Sequence, residues 1–201
     1  MDEATTVLSA AIGVRVRRER RSRGWTLDQL AQAAGVSRRS AINVEQGVAN
    51  PSVGTLLRLG DALGVGLPAL VEPPHTAPVK VIRRGEGAIL WRSEAGGCAR
   101  LVAGSGPPDV LELWDWVLCP GDQHTSEAHA PRTTELIHVQ EGTVLVRVAE
   151  QSVSLVAGDA VRFPGDVPHA YANPGPASAR FSLAVFEPGV GATPQTAVAD
   201  A

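Results

Sequence analysis

The chain has 201 residues, 44% hydrophobic and 19% charged, with a formal net charge of −3. No apolar run approaches the roughly 18 residues that cross a bilayer, and Val7 to Val14 is too short for a signal peptide and is followed, not preceded, by arginines, so a soluble cytoplasmic protein without membrane contact is expected. Cys98 and Cys119 are the only cysteines, which excludes a disulfide framework and a paired-cysteine zinc site and leaves both as expected small core residues.

The net charge hides an asymmetry. Residues 1–72 hold nine basic against seven acidic side chains, whereas residues 73–201 hold nine against fourteen. Eight arginines fall within Arg15 to Arg39 against only Glu19 and Asp28, the distribution expected if one end of the chain meets phosphates. The pattern changes near Pro73, which predicts a multidomain α + β protein: an all-α domain over 1–71, a linker over 72–78, an all-β domain over 79–188 and a flexible tail over 189–201.

In the first domain apolar residues recur at helical spacing, predicting five helices at about 9–23, 27–34, 38–46, 53–63 and 67–71. Thr26 and Ser37 stand as N-caps, and Gly35, Gly47 and Gly64 as stops. Trp25 to Gly47 therefore reads as helix, three-residue turn, helix. Ala31 must be small where the helices cross, Gly35 permits the turn, Val36 and Ile42 are expected to plug the core, and Ser37 caps the second helix. Arg38, Arg39 and Asn43 then project from the first turns of that helix, with Ser37 and Ser40 beside them as further expected DNA contacts. Arginine can make paired hydrogen bonds to guanine and asparagine to adenine in the major groove, while Arg18, Thr26 and Gln29 suit phosphate. These eight residues are the expected contacts to a double-stranded DNA operator.

These residues carry a resemblance. Leu30-Ala31, Gly35-Val36-Ser37, Ile42, Glu45, Gly47, Pro51, Leu63-Gly64-Val65 and Leu70 resemble the phage-repressor-like, or XRE, family of helix-turn-helix proteins over roughly residues 10–71. The resemblance implies sequence-specific DNA binding and transcriptional regulation.

After the prolines of 73–78 the pattern turns to short Val/Leu/Ile-rich runs, including Ala88–Arg92, Val110–Leu118, Leu136–Val139, Val144–Val148 and Phe181–Phe186. Gly96-Gly97, Gly106-Pro107-Pro108, Pro120-Gly121, Gly158-Asp159 and Pro164-Gly165 punctuate them, which predicts an all-β sandwich or barrel. No internal repeat is present.

Two glycine-anchored segments, Gly121 to His129 with Glu135 to Gly142, and Gly158 to His169 ending at Asn173, closely resemble the two motifs of the cupin superfamily. That resemblance implies a double-stranded β-helix, or jelly-roll, barrel. In the family two histidines and a glutamate of the first motif join a histidine of the second to hold a divalent metal. His129, Glu135 and His169 match ligand positions here, whereas Glu127 stands where the leading histidine would be. Two imidazoles and a carboxylate can hold zinc, nickel, iron or manganese. Alternatively these groups line a cavity that hydrogen-bonds a small-molecule effector, with Glu127, Trp116, Phe163 and Tyr171 as contacts; Trp91, Trp114 and Phe181 are further candidate lining residues. Strand alternation gives Glu127 and His129 a common face and sets His124 and His138 aside as surface or packing residues.

The two halves together read as a transcriptional regulator, not an enzyme, whose barrel biases a homodimer between operator-matching and non-matching geometries. The alternative is a metal-dependent oxygenase of the hydroxypropylphosphonate epoxidase type, in which His129, Glu135 and His169 would hold iron.

Overall fold

The helices and strands follow from local signals. The computed structural model describes residues 3–72 and 79–190; the expected linker segment 73–78 and the tail from 191 onward lie outside the described residues. The N-terminal part holds α1 (Glu3–Ser22), α2 (Leu27–Ala33), α3 (Arg38–Glu45), α4 (Val53–Ala62) and α5 (Gly66–Val71). Helix α1 begins at Glu3 rather than at Ser9. Thr26 caps α2 reciprocally: its hydroxyl accepts from Gln29 N at 3.2 Å, and Gln29 Oε1 accepts from Thr26 N at 2.8 Å. Ser37 Oγ accepts from Ser40 N at 3.0 Å at the start of α3. Between the two helices Gly35 takes φ +60°, which favours a residue without Cβ.

The helices pack around Val16, Leu30, Leu56, Leu59, Leu63 and Leu67, all 0–1% exposed. Each such side chain contributes about 1.5–3 kcal/mol by leaving water. Ala41 and Val44 are the residues α3 buries; Ile42, expected in the core, is only half-buried. With Ala41 and Val44 turned toward α1, the helical rotation carries Ile42 to the edge of the face. Arg20 of α1 grips Glu45 at the end of α3 through two bonds of 2.5 and 2.9 Å, and donates to the Trp25 carbonyl at 2.7 Å.

The second part is antiparallel throughout: β1 (Ala88–Arg92), β2 (Cys98–Gly104), β3 (Val110–Leu118), β4 (Gln123–Ser126), β5 (Thr134–Glu141), β6 (Thr143–Val148), β7 (Gln151–Val156), β8 (Ala160–Pro164), β9 (His169–Ala172) and β10 (Ala179–Glu187). A six-stranded sheet in the order β1-β2-β3-β10-β5-β8 faces a four-stranded sheet in the order β4-β9-β6-β7, as in the expected cupin barrel. Alternation decides what points inward: Val110, Glu112, Trp114, Trp116 and Leu118 of β3 are all buried. Strand β7 escaped the apolar pattern because only Leu155 of its side chains is buried. Cys98 and Cys119 are half-buried free thiols rather than full core residues. Gly189 and Val190, assigned by sequence to the tail, are pinned to the barrel through bonds to Asp109 Oδ1 and the Pro108 carbonyl.

Helices α4 and α5 lie directly on the barrel. Val53 and Leu57 of α4 cover the opening bounded by β3, β4, β5 and β10, and Arg58 of α4 pairs with Glu127, just after β4, at 2.8 Å. The interior of the barrel is thus roofed by a helix of the N-terminal part.

Candidate functional site

On the helix-turn-helix surface, Arg38, Arg39 and Ser37 of the α3 start are exposed, while Ser40 and Asn43 are half-buried. Arg38 Nε is paired with Asp28 Oδ1 at 2.8 Å, both side chains remaining open to solvent; Arg39 has no ion pair among the described residues. Thr26 and Gln29 are exposed but spend their acceptor oxygens on the capping box. Arg18 is exposed beside Glu19. Among the neighbouring arginines, Arg15 and Arg20 of α1 donate to the Leu70 carbonyl and to Glu45, and Arg23, just after α1, binds the Leu63 carbonyl and Glu19. Much of the apparent basic run therefore braces the fold.

Inside the barrel His129, Glu135 and His169 converge, their ligand atoms all within 4.8 Å of one another. His129 Nε2 lies 3.0 Å and His169 Nε2 3.3 Å from the same oxygen, Glu135 Oε1. Ligands each about 2.0–2.2 Å from one ion sit at such separations. His169 Nδ1 donates to the Val167 carbonyl at 2.8 Å, which leaves Nε2 to face the centre, where it is buried and off the line of any good hydrogen bond. The Tyr171 hydroxyl donates to Glu135 Oε2, so one carboxylate oxygen is anchored and the other is presented to the imidazoles. The three residues fit a divalent ion.

Electrostatics follow from this geometry. Burial pushes the Glu135 carboxyl up, but its contacts to His129 and His169 outweigh burial and bring it down to about 2. Burial lowers the His169 imidazole, yet Glu135 and the Val167 carbonyl give a net upward shift. Tyr171 is raised well above its ordinary value by burial and by Glu135, keeping its proton for the hydrogen bond.

The other expected contacts divide. Trp116, Phe163 and Tyr171 are buried around the centre, with Phe163 5.6 Å from His169 and Trp116 5.4 Å from Tyr171 between ring centroids. Glu127 does not share the direction of His129. Strand β4 ends at Ser126, so alternation does not carry through to position 127, and Glu127 stands 84% exposed against Arg58. His138 is exposed on the outer face. His124 faces inward and packs on Trp116 and Trp91 at 4.9 and 5.5 Å; burial foremost brings it down to about 4, so it is neutral near pH 7.

Two spaces that share Val53, Leu57, His124, Ser126 and His129 as walls adjoin the centre. A small inner space of about 30 Å³ reaches Glu112, Glu135 and Tyr171, and an outer chamber of about 440 Å³ lies between α4 and the stretch from β4 to Ala130. Sequence reasoning missed Arg58, Asp61, Glu112 and Glu187, which border these spaces. Glu112 and Glu187 were legible, since each takes an inward position in an alternating strand, Glu112 between Val110 and Trp114 and Glu187 two residues after Val185; Arg58 and Asp61 depend on the docking of α4.

Comparison with known proteins agrees with both halves. The helix-turn-helix family model matches residues 16–70 and the cupin-domain model residues 114–186. The HTH-type transcriptional regulator SutR of Escherichia coli is 26% identical, over 90% of this chain and 97% of that protein. The HTH-type transcriptional regulator PuuR of the same organism is 23% identical, over 81% and 88%. A crystal structure of an HTH_3 family transcriptional regulator from Vibrio cholerae superposes with a TM-score of 0.69 at 25% identity, covering 92% of this chain and 99% of that one. The chain belongs to the XRE-type helix-turn-helix transcriptional regulators that carry a cupin domain, and is a DNA-binding regulator.

Proposed function

We propose that the barrel is the sensor of this regulator, binding a divalent metal, a small-molecule effector or both, and that it signals through α4. One observation carries the reading: the helix that roofs the His129-Glu135-His169 centre belongs to the DNA-reading part. An occupant that favours one position of α4 shifts the population competent for DNA. The working units are a DNA-binding domain over 1–71, a linker over 72–78 and a sensor over 79–190 that takes in Gly189 and Val190 through their bonds to Asp109 and Pro108, acting in the cytoplasm.

Arg39, Arg38 and Asn43 read bases, with Ser37, Ser40, Thr26, Gln29 and Arg18 on phosphates. The metal is zinc, nickel, iron or manganese on His129, Glu135 and His169, and Trp116, Phe163, Tyr171 and Glu127 contribute to the effector space. The barrel senses rather than catalyses. Dimerisation uses the outer face of the six-stranded sheet, where Leu113, Leu136 and Phe186 are 44, 45 and 38% exposed and where Leu113, Ala184 and Leu136 form one cross-strand row.

The test is a gel shift on the selected operator, with metal content measured on the same samples. Arg38→Ala combined with Arg39→Ala is expected to abolish specific binding while the barrel keeps its metal. His169→Ala is expected to lose the metal and the response to it while retaining basal DNA binding. Specific binding that survives the arginine pair, or a ligand response that survives His169→Ala, refutes the corresponding half of the proposal.

A further inference from the structure

The spaces beneath α4 are bordered by more carboxyls than cations. Two of the five are matched: Glu127 by Arg58, and Glu135 by the imidazoles and Tyr171. Three are not. Asp61 at the rim and Glu187 on the wall have no side-chain hydrogen bond or ion pair among the described residues, and Glu187 is only 5% exposed. Glu112 on the floor, 1% exposed, accepts from Trp114 Nε1 at 2.9 Å on Oε2 while its Oε1 is buried without a partner. The indole Nε1 of Trp116, which lines the same inner space, is likewise buried and unpartnered. Buried acids without countercharge resist ionisation, and a cation placed beside them favours the carboxylate form. Burial, with Glu187 adding to it, raises Glu112 to about 8, and burial, with Asp61 and Glu135 adding to it, raises Glu187 to about 7 despite the opposing pull of His129.

The shape of the outer chamber narrows what could supply the missing charge. It is far larger than a single ion. Gly54, Leu57, Arg58 and Asp61 form one stripe of α4 along it, at helical spacing. Val53, Leu57, Ala128 and Ala130 give it apolar wall, while Arg58, the only guanidinium there among the described residues, is already held by Glu127. A chamber with an apolar side at Val53 and Leu57 and unmatched carboxyls at Asp61 and Glu187 suits a molecule with a hydrocarbon body and a positive end.

We propose that the chamber between α4 and the barrel binds a small organic cation, an alkylammonium whose charged group is held by Glu187 with Asp61 adding to its attraction, and whose chain lies against Val53 and Leu57. The inference rests on the sensor reading above and deepens it. The ligand touches both the barrel and the DNA-reading part, so its occupancy directly changes the environment of α4.

The experiment is calorimetric titration of the full chain with n-butylammonium chloride, with 1-butanol as the uncharged analogue and sodium chloride as the ionic-strength control. Saturable butylammonium binding tighter than about 10 mM is expected, with none for butanol or sodium. Glu187→Gln is expected to weaken it about ten-fold, equal to about 1.4 kcal/mol, and Asp61→Asn, at the rim where folding is insensitive, to weaken it about three-fold. Equal binding of butanol and butylammonium, no saturation, or unchanged affinity in both variants overturns the proposal. Arg39→Ala keeps the two readings apart. Butylammonium binding must survive in it, and loss of amine binding from the native chain with operator binding intact sinks the cation site alone.

Discussion

Gly104 at the end of β2 and Pro68 in α5 touch so closely that a methyl group at position 104 would lie 2.2 Å from Pro68 Cγ. Gly66 makes a similar approach to Val110 from the other side of the seam, where a Cβ would meet Val110 Cγ2 at 2.8 Å. The helix-bearing part is thus seated on the barrel by backbone-close packing as well as by the Arg58–Glu127 pair.

Enlarging Gly104 should unseat α5. Pro68 sits in a helix and cannot swing aside, so Gly104→Val is expected to cost about 1–3 kcal/mol, the usual range for overpacking. Calorimetry should show a lowered melting temperature, and small-angle scattering a larger radius, with the tryptophan near-ultraviolet signal of the barrel retained. Gly106→Ala, which has open space around it, should leave both unchanged. An unaltered radius in Gly104→Val would mean that the seam does not hold the two parts together.

Within the helices the bond between Arg20 and Glu45 is the main polar tie from α1 to the end of α3. The two side chains are 12 and 7% exposed, so removing one leaves the other nearly buried and unmatched. Glu45→Ala is expected to destabilise the helical part by about 2–4 kcal/mol, toward the lower end for breaking buried pairs because some solvent reaches this one. Urea denaturation followed by helical circular dichroism measures it. A loss below about 0.5 kcal/mol, the ordinary scale of surface pairs, would contradict the assigned role.

Features set by neighbours in the chain were legible in advance. Thr26 and Ser37 cap helices because a hydroxyl placed just before a helix finds the amide three residues on, and the resemblance of the two glycine-anchored segments to the cupin motifs singled out His129, Glu135 and His169. What the sequence did not yield depended on distant parts of the chain. Glu45 and Arg20 are 25 residues apart and meet only because α1 crosses α3. The alternation that works inside β5, turning Glu135 in and His138 out, fails between β4 and His129 because the intervening residues are not strand. That is why Glu127 faces Arg58 and His124 faces the aromatic interior.

Glu112 gives the fold a pH dependence of opposite sign to the usual carboxylate. Its ordinary value of 4.5 applies in the unfolded chain, and burial foremost, then Glu187, raises it to about 8 in the fold. The stability associated with its neutral form is therefore complete below about 4.5 and is lost as pH rises to about 8. Each pH unit in that window costs about 1.4 kcal/mol. Glu112→Gln, which keeps an acceptor for Trp114 and cannot ionise, should melt higher than the native chain at pH 8, by about 2–4 °C for each kcal/mol recovered in a chain of 201 residues. The difference should shrink toward pH 5. A constant difference across that range would show that the substitution acts through packing.

The last expectation concerns how the centre holds its carboxylate. The Tyr171 hydroxyl anchors Glu135 Oε2 and leaves Oε1 facing both imidazoles. Tyr171→Phe preserves the ring that packs on Trp116 and Phe181 but frees the carboxylate to rotate. Outer-shell bonds of this kind are worth about 10–100-fold in metal affinity, so zinc competition against a fluorescent chelator should show a loss of that size, with unchanged melting of the metal-free protein. His138→Ala, on the outward face of the same strand as Glu135, should bind zinc as the native chain does. Were Tyr171→Phe to bind zinc with native affinity, the hydroxyl would be packing against the carboxylate without orienting it, and the centre would owe its geometry to the backbone of β5 and β9 alone.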